Sequence, residues 1–180
     1  MKYLQNYINE KLIISKDTIK NKYSCQPKSK EELRRILENR LKKDKNADLN
    51  DIDVSEITDM KELFNDLDPH NIDISDWDVS NVTNMVGMFD TCQNFNSDLS
   101  QWNVSNVKYM FRMFLNCQKF NCDLSQWDVS NVQDMTYMFT HCENFNCDLN
   151  DWNVSKVIDM GFMFARCKSL THKPVWYKNK

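Results

Sequence analysis

Residues 77–101 read WDVSNVTNMVGMFDTCQNFNSDLSQ, and the same phrase returns with small changes at 102–126, at 127–151 and again from Trp152. Trp77, Trp102, Trp127 and Trp152 thus recur at a constant interval of 25 residues, with no insertion between them. Equal path length per unit is the mark of a chain that coils and stacks each turn on the last, so that every position of the phrase becomes a column. The register extends to five units: 52–76, 77–101, 102–126, 127–151 and 152–176. The outer two are degenerate. Ile52 stands for Trp and His70 for Phe in the first; Leu170 stands for Phe, Pro174 for Leu, and Trp176 comes one position early in the last. Terminal turns face water on one side and must not offer a free edge.

Within a unit, F-N-x-D-L-x-x-W alternates as a short strand would, with Phe, Leu and Trp facing in. The following V-x-x-M-x-x-M-F-x-x-C has the apolar spacing of three and four that suits a short helical turn. Ser80, Ser105, Ser130 and Ser155, or the residue after each, are placed to cap it. The expected fold is therefore an α/β repeat solenoid, each coil a short parallel strand plus a helical or 3-10 turn. The division of the chain follows: 1–51 an N-terminal helical cap, 52–176 the repeats, 177–180 a C-terminal tail. In the cap, Ser29-Lys-Glu-Glu32 is a capping-box pattern, and Glu31–Lys43 reads as a helix with Leu33, Ile36, Leu37 and Leu41 on one face. Residues 1–24 fit a further helix or a small hairpin.

Charge is divided. Residues 1–51 hold 13 Lys/Arg against 8 Asp/Glu, and 52–180 hold 10 against 18, for a net charge of −3. Acidic repeats argue against nucleic acid as their partner. No stretch is long and apolar enough to span a membrane, and the N-terminus lacks a signal-peptide pattern, which predicts a cytoplasmic monomer; cell-surface display or secretion by another route is the alternative.

The chemically suggestive residues fall into columns. Cys92, Cys117, Cys142 and Cys167 sit between apolar neighbours and read as core rather than zinc ligands, since no C-x-x-C pair exists. Cys122 and Cys147 form a second column, two reduced thiols or one inter-coil disulfide. Asn71, Asn96, Asn121 and Asn146 suggest an amide ladder. Asp73, Asp98, Asp123 and Asp148 repeat like charges, which requires each carboxylate to accept local N–H groups or the column to bind calcium. Met60, Met85, Met110, Met135 and Met160, with Met88, Met113, Met138 and Met163, read as core. The three histidines have no partnered nucleophile, so no catalytic residue, cofactor or metal ligand is assigned. Columns that change from turn to turn are free to specify a partner. Phe111, Arg112, Tyr137 and Phe162, with Tyr109 nearby, are the candidate binding residues, for aromatics with an Arg make a typical hot spot.

The 77–101 phrase resembles the repeat of BspA-type leucine-rich-repeat surface proteins, in the mycoplasma-lipoprotein-associated branch. PKSKEEL (27–33) followed by ADLNDIDVS (47–55) is similar to that family's N-terminal cap. The resemblance implies leucine-rich-repeat-like coils and a non-catalytic role in adhesion or protein interaction, with a protein or glycan as partner. A calcium-stabilised repeat module is the alternative, and an enzyme with an unrecognised site a weaker one.

Overall fold

The computed structural model describes residues 22–177. The helix or hairpin expected in residues 1–24 falls almost wholly outside that range, as does most of the 177–180 tail.

Each coil is built from short polar turns. Asp98 Oδ1 accepts the Ser100 N–H at 2.9 Å, Asn103 Oδ1 the Ser105 N–H at 3.2 Å, and Asp134 Oδ1 the Thr136 N–H at 2.8 Å. These are Asx turns, in which the side chain stands in for a backbone acceptor two residues back. They let a repeat nearly without glycine change direction three times per coil. After them come hydrogen-bonded β-turns: Met88 N–H to Met85 O, Cys92 N–H to Phe89 O, and Phe95 N–H to Cys92 O, at 3.0–3.2 Å. Gly87 (φ 57°) and Thr91 (φ 64°) occupy the third positions of the first two, the positive φ that a type II turn demands. The same columns keep positive φ throughout, at Glu62, Arg112, Tyr137 and Phe162 and at Asp66, Asn116, His141 and Arg166.

This corrects the expected architecture. No α/β repeat solenoid of strand plus helical or 3-10 turn forms: residues 52–176 contain no helix and no strand. Pairing between coils is a line of isolated parallel bridges, Asp59 to Asn84, Tyr109, Asp134 and Asp159 in turn. The leucine-rich-repeat-like strand fails for the same reason. Apolar spacing of three and four is met equally by consecutive turns, each of which sets residues i and i+3 side by side. A positive-φ residue cannot continue a right-handed helix. The N–H groups that a helix would use internally instead leave the coil: Met85, Gly87, Phe89 and Thr91 donate to Tyr109, Phe111, Met113 and Leu115 at 2.8–2.9 Å. In F-N-x-D-L-x-x-W the Asx turn at Asp98 and the Trp102 N–H to Leu99 O turn (3.1 Å) consume the groups that a sheet would need.

Stacking is nonetheless direct, and like meets like. Trp77 and Trp102 are parallel within 3° at 6.4 Å, and Phe89, Phe114 and Phe139 follow one another at 5.5 and 5.6 Å. Every Trp of the ladder faces inward. Trp127 Nε1 donates to Leu99 O, and Trp102 and Trp152 bond in the same way to Ile74 O and Leu124 O, all at 3.0 Å. Trp176, one residue early, still stacks on Trp152 at 6.3 Å. The Met and Val columns of the inner coils fill the space between, all buried.

α1 (Lys30–Leu41) closes the first coil. Ser29 Oγ accepts the Glu32 N–H at 3.2 Å, which satisfies one orphan donor of the helix start, while Glu32 accepts the N–H of Lys28, the residue before the cap, at 2.9 Å. Leu33, Leu37 and Leu41 are buried and Ile36 packs beside them. The Ser24 N–H reaches Asp51 O, and the Leu49 N–H reaches Asp73 O. α1 therefore takes, in an outermost coil, the place the β-turns hold in later ones.

Thr91 is β-branched at a φ where Asn116 stands in the next coil. Asn tolerates the left-handed region and Thr does not. Thr91→Asn should raise stability by about 1 kcal/mol, read as a higher urea midpoint at unchanged slope.

Candidate functional site

The repeated polar columns are occupied in holding coils together. Cys92, Cys117, Cys142 and Cys167 each direct the thiol at the carbonyl of the Phe one coil back (Phe64, Phe89, Phe114, Phe139) at 2.9–3.3 Å. Burial pushes these thiols up, Cys167 to about 12. They are neutral hydrogen-bond donors in the core at ordinary pH. Cys122 and Cys147 are unbridged and half-buried, and each sulfur accepts the N–H of a Leu in the preceding coil, Leu99 at 3.1 Å and Leu124 at 3.3 Å. Burial raises both to about 11.

The Asn ladder runs from side chain to backbone: Asn96 Oδ1 accepts the Asn121 N–H at 2.8 Å, and Asn121 Oδ1 the Asn146 N–H at 2.9 Å. The Asp column meets its like-charge problem locally. The Ser75 hydroxyl and N–H hold Asp73 below the usual carboxylate range, and the Ser100 and Ser125 N–H groups do the same for Asp98 and Asp123. Among the described residues no group of three or more His, Cys, Asp or Glu is placed to hold a metal ion.

The variable columns behave differently. Arg112 lies over two rings, its Cζ 4.9 Å from the Phe111 centroid and 5.7 Å from that of Tyr137, within the range of cation–π attraction. Phe111 meets Tyr137 edge-on at 6.2 Å, and Tyr137 stacks on Phe162 at 5.3 Å and 4°. Four of the five candidates thus form one continuous surface across three coils. Tyr109 is also exposed, at 43%, but among the described residues no ring contact joins it to the other four; its backbone carries the bridge between Asn84 and Asp134. Arg112, Tyr137 and Phe162 all sit at positive φ, in the column that holds Gly87. That backbone turns them away from the core. A Gly among bulky residues in one column was the sequence signal for it.

Ile158 escaped the sequence reading. It is 82% exposed, in a column otherwise polar (Thr58, Thr83, Lys108, Gln133). The break in that column is the sign that could have found it.

Beside the aromatic face lies Asp90, whose Oδ1 is buried without a hydrogen bond. Burial raises its carboxyl above the ordinary value, against the pull of Arg112. An acid raised by folding binds its proton more tightly when folded. Its contribution to stability is therefore greatest at low pH and falls as pH climbs through the unfolded and folded values. Asp90→Asn should raise stability at pH 7 and lose that advantage below about pH 4, near the unfolded value. Paired urea melts at the two pH values check this.

The rings and guanidinium can dock a partner surface through apolar contact and charge-assisted hydrogen bonds. Among the described residues no helix is long and apolar enough to cross a membrane. The chain matches no curated protein and no solved structure. A family model does match, over residues 32–140 and again over 112–178, so that both α1 and the coils fall within it. By that match over most of its length, the chain belongs to the family described as Mycoplasma protein of unknown function, DUF285.

Proposed function

We propose that this chain is a non-catalytic repeat scaffold that binds another protein through Phe111, Arg112, Tyr137 and Phe162. One observation carries the reading: three bulky side chains occupy a positive-φ column in which Gly would relieve about 1 kcal/mol or more apiece. Bulky side chains kept in a column where Gly would be relaxed, and brought together there as one face, are a pointer to function. Burial holds the Cys117 and Cys142 thiols protonated, so these two are not activated nucleophiles. An adhesion-type role, with display at a cell surface and a glycan as the other candidate partner, is the narrower form of this reading and rests on the resemblance to BspA-type repeats.

Phe111→Ser with Tyr137→Ser should change stability by less than about 1 kcal/mol, as surface positions do, while weakening partner binding by about tenfold or more. Binding would be compared between wild type and double variant on arrays of surface proteins and of glycans. A loss of several kcal/mol in a urea melt would make the rings part of the core and end this reading; retention of binding by the double variant would end it too.

A further inference from the structure

The two ends of the stack are chemically unlike. In each interior coil, alternate N–H groups point to the following coil and find its carbonyls. Met135 donates to Asp159, Tyr137 to Gly161, Phe139 to Met163 and His141 to Ala165, at 2.8–3.0 Å. In the last coil the equivalent donors are Met160, Phe162, Phe164 and Arg166. Among the described residues no backbone carbonyl meets these four; the Tyr177 hydroxyl stands beside the Phe164 N–H. At residue 158 the direction is inverted, the Ile158 N–H donating to Gln133 O at 2.8 Å, as the Ser169 N–H does to Glu143 O at 3.0 Å. By the same register the Ile158 carbonyl faces outward as an acceptor.

This edge is apolar as well as donor-rich. Ile158 and Phe162 are 82% and 63% exposed. A cleft of about 570 Å³ opens there, with Met160, Trp176 and Tyr177 among its walls, a volume in the range of binding pockets. A row of alternate N–H donors beside an apolar cleft asks for an extended backbone, whose carbonyls give affinity while its side chains enter the cleft.

We propose that the 158–162 edge takes up an extended peptide segment of a partner protein, laid parallel to it. One N–H of that segment meets the Ile158 carbonyl, its alternate carbonyls meet the Met160 and Phe162 N–H groups, and an apolar side chain fills the cleft. Hydrogen-bond polarity decides against a second copy of this chain. Edge to edge, donors would face donors. Head to tail, the copy would have to offer the carbonyl edge of its first coil (Asp59, Lys61, Leu63, Asn65), over which α1 lies with Leu33 and Leu37 buried and with Arg34 Nη1 on Leu63 O at 3.1 Å. The edge is separate from the aromatic face except at Phe162, and its reading does not depend on the function proposed above.

The probe is a blocked peptide of residues 131–144, NVQDMTYMFTHCEN, whose middle lies over the preceding coil at the interior junction. In the full chain, amide exchange at Met160 and Phe162 should be fast, and slowed by about tenfold or more when peptide saturates. Ile158→Lys should weaken peptide binding by about tenfold or more, whereas Phe111→Ser should not. That contrast separates failure here from failure of the aromatic face. Three results would overturn the proposal: no protection at millimolar peptide, protection already present in the chain alone at every concentration, or protection that rises with chain concentration alone, which would identify a second copy.

Discussion

Trp127→Ala is expected to destabilise the protein by about 3–5 kcal/mol, the range for emptying a large aromatic from a core. Trp127 is buried at the middle of the stack, packs against Phe114 at 6.4 Å, and donates to Leu99 O of the preceding coil. Leu99 O keeps its bond from the Trp102 N–H at 3.1 Å, so most of the loss comes from the cavity rather than from an orphaned carbonyl. The cavity opens onto coils on both sides, and nearest-neighbour terms are what hold such a stack together. Urea melts of the single variant provide the measurement. A change of under about 1 kcal/mol would mean that the indole column is not what joins the coils.

Leu37→Ala should cost about 2–5 kcal/mol, but with a different distribution. Leu37 is buried on the face of α1, where it covers the first coil. Loosening α1 withdraws Arg34 from the carbonyls of Glu62 and Leu63; Glu62 O keeps the Asn65 N–H at 3.3 Å, whereas Leu63 O loses its bond from Arg34. Amide exchange should therefore quicken first in residues 52–76 and last in 127–151, since local opening follows local contacts. Uniform quickening throughout would show α1 to be coupled to the whole stack rather than to its first coil; no quickening would show that it does not cap.

The aromatic face was legible because variation stands out against repetition. Phe111, Arg112, Tyr137 and Phe162 were found as departures within otherwise constant phrases, and the structure brings their side chains together. Tyr109 was equally variable, but its ring stands apart. Ile158 is hard to find in the sequence because the other members of its column are polar. The Cys92, Cys117, Cys142 and Cys167 column reads as core, and the Asp column as local N–H acceptance or calcium binding; the thiols bond to buried carbonyls and the Asp carboxylates to N–H groups two residues on. What no pattern displayed is which N–H groups of the 152–176 coil meet no carbonyl among the described residues, since that depends on how the coils lie against one another.

A constant interval of 25 residues determined by itself that units of equal length recur and that like residues share a column. The apolar identities determined which columns face inward, and Ser29 with Glu32 determined where α1 begins. The conformation inside each coil was decided only in three dimensions. Apolar residues three and four apart suit a helix and a run of β-turns alike, and the choice turns on where the N–H groups go. Here they go to carbonyls 24 residues onward, as from Phe89 to Met113, a partner that exists only once the next coil is in place.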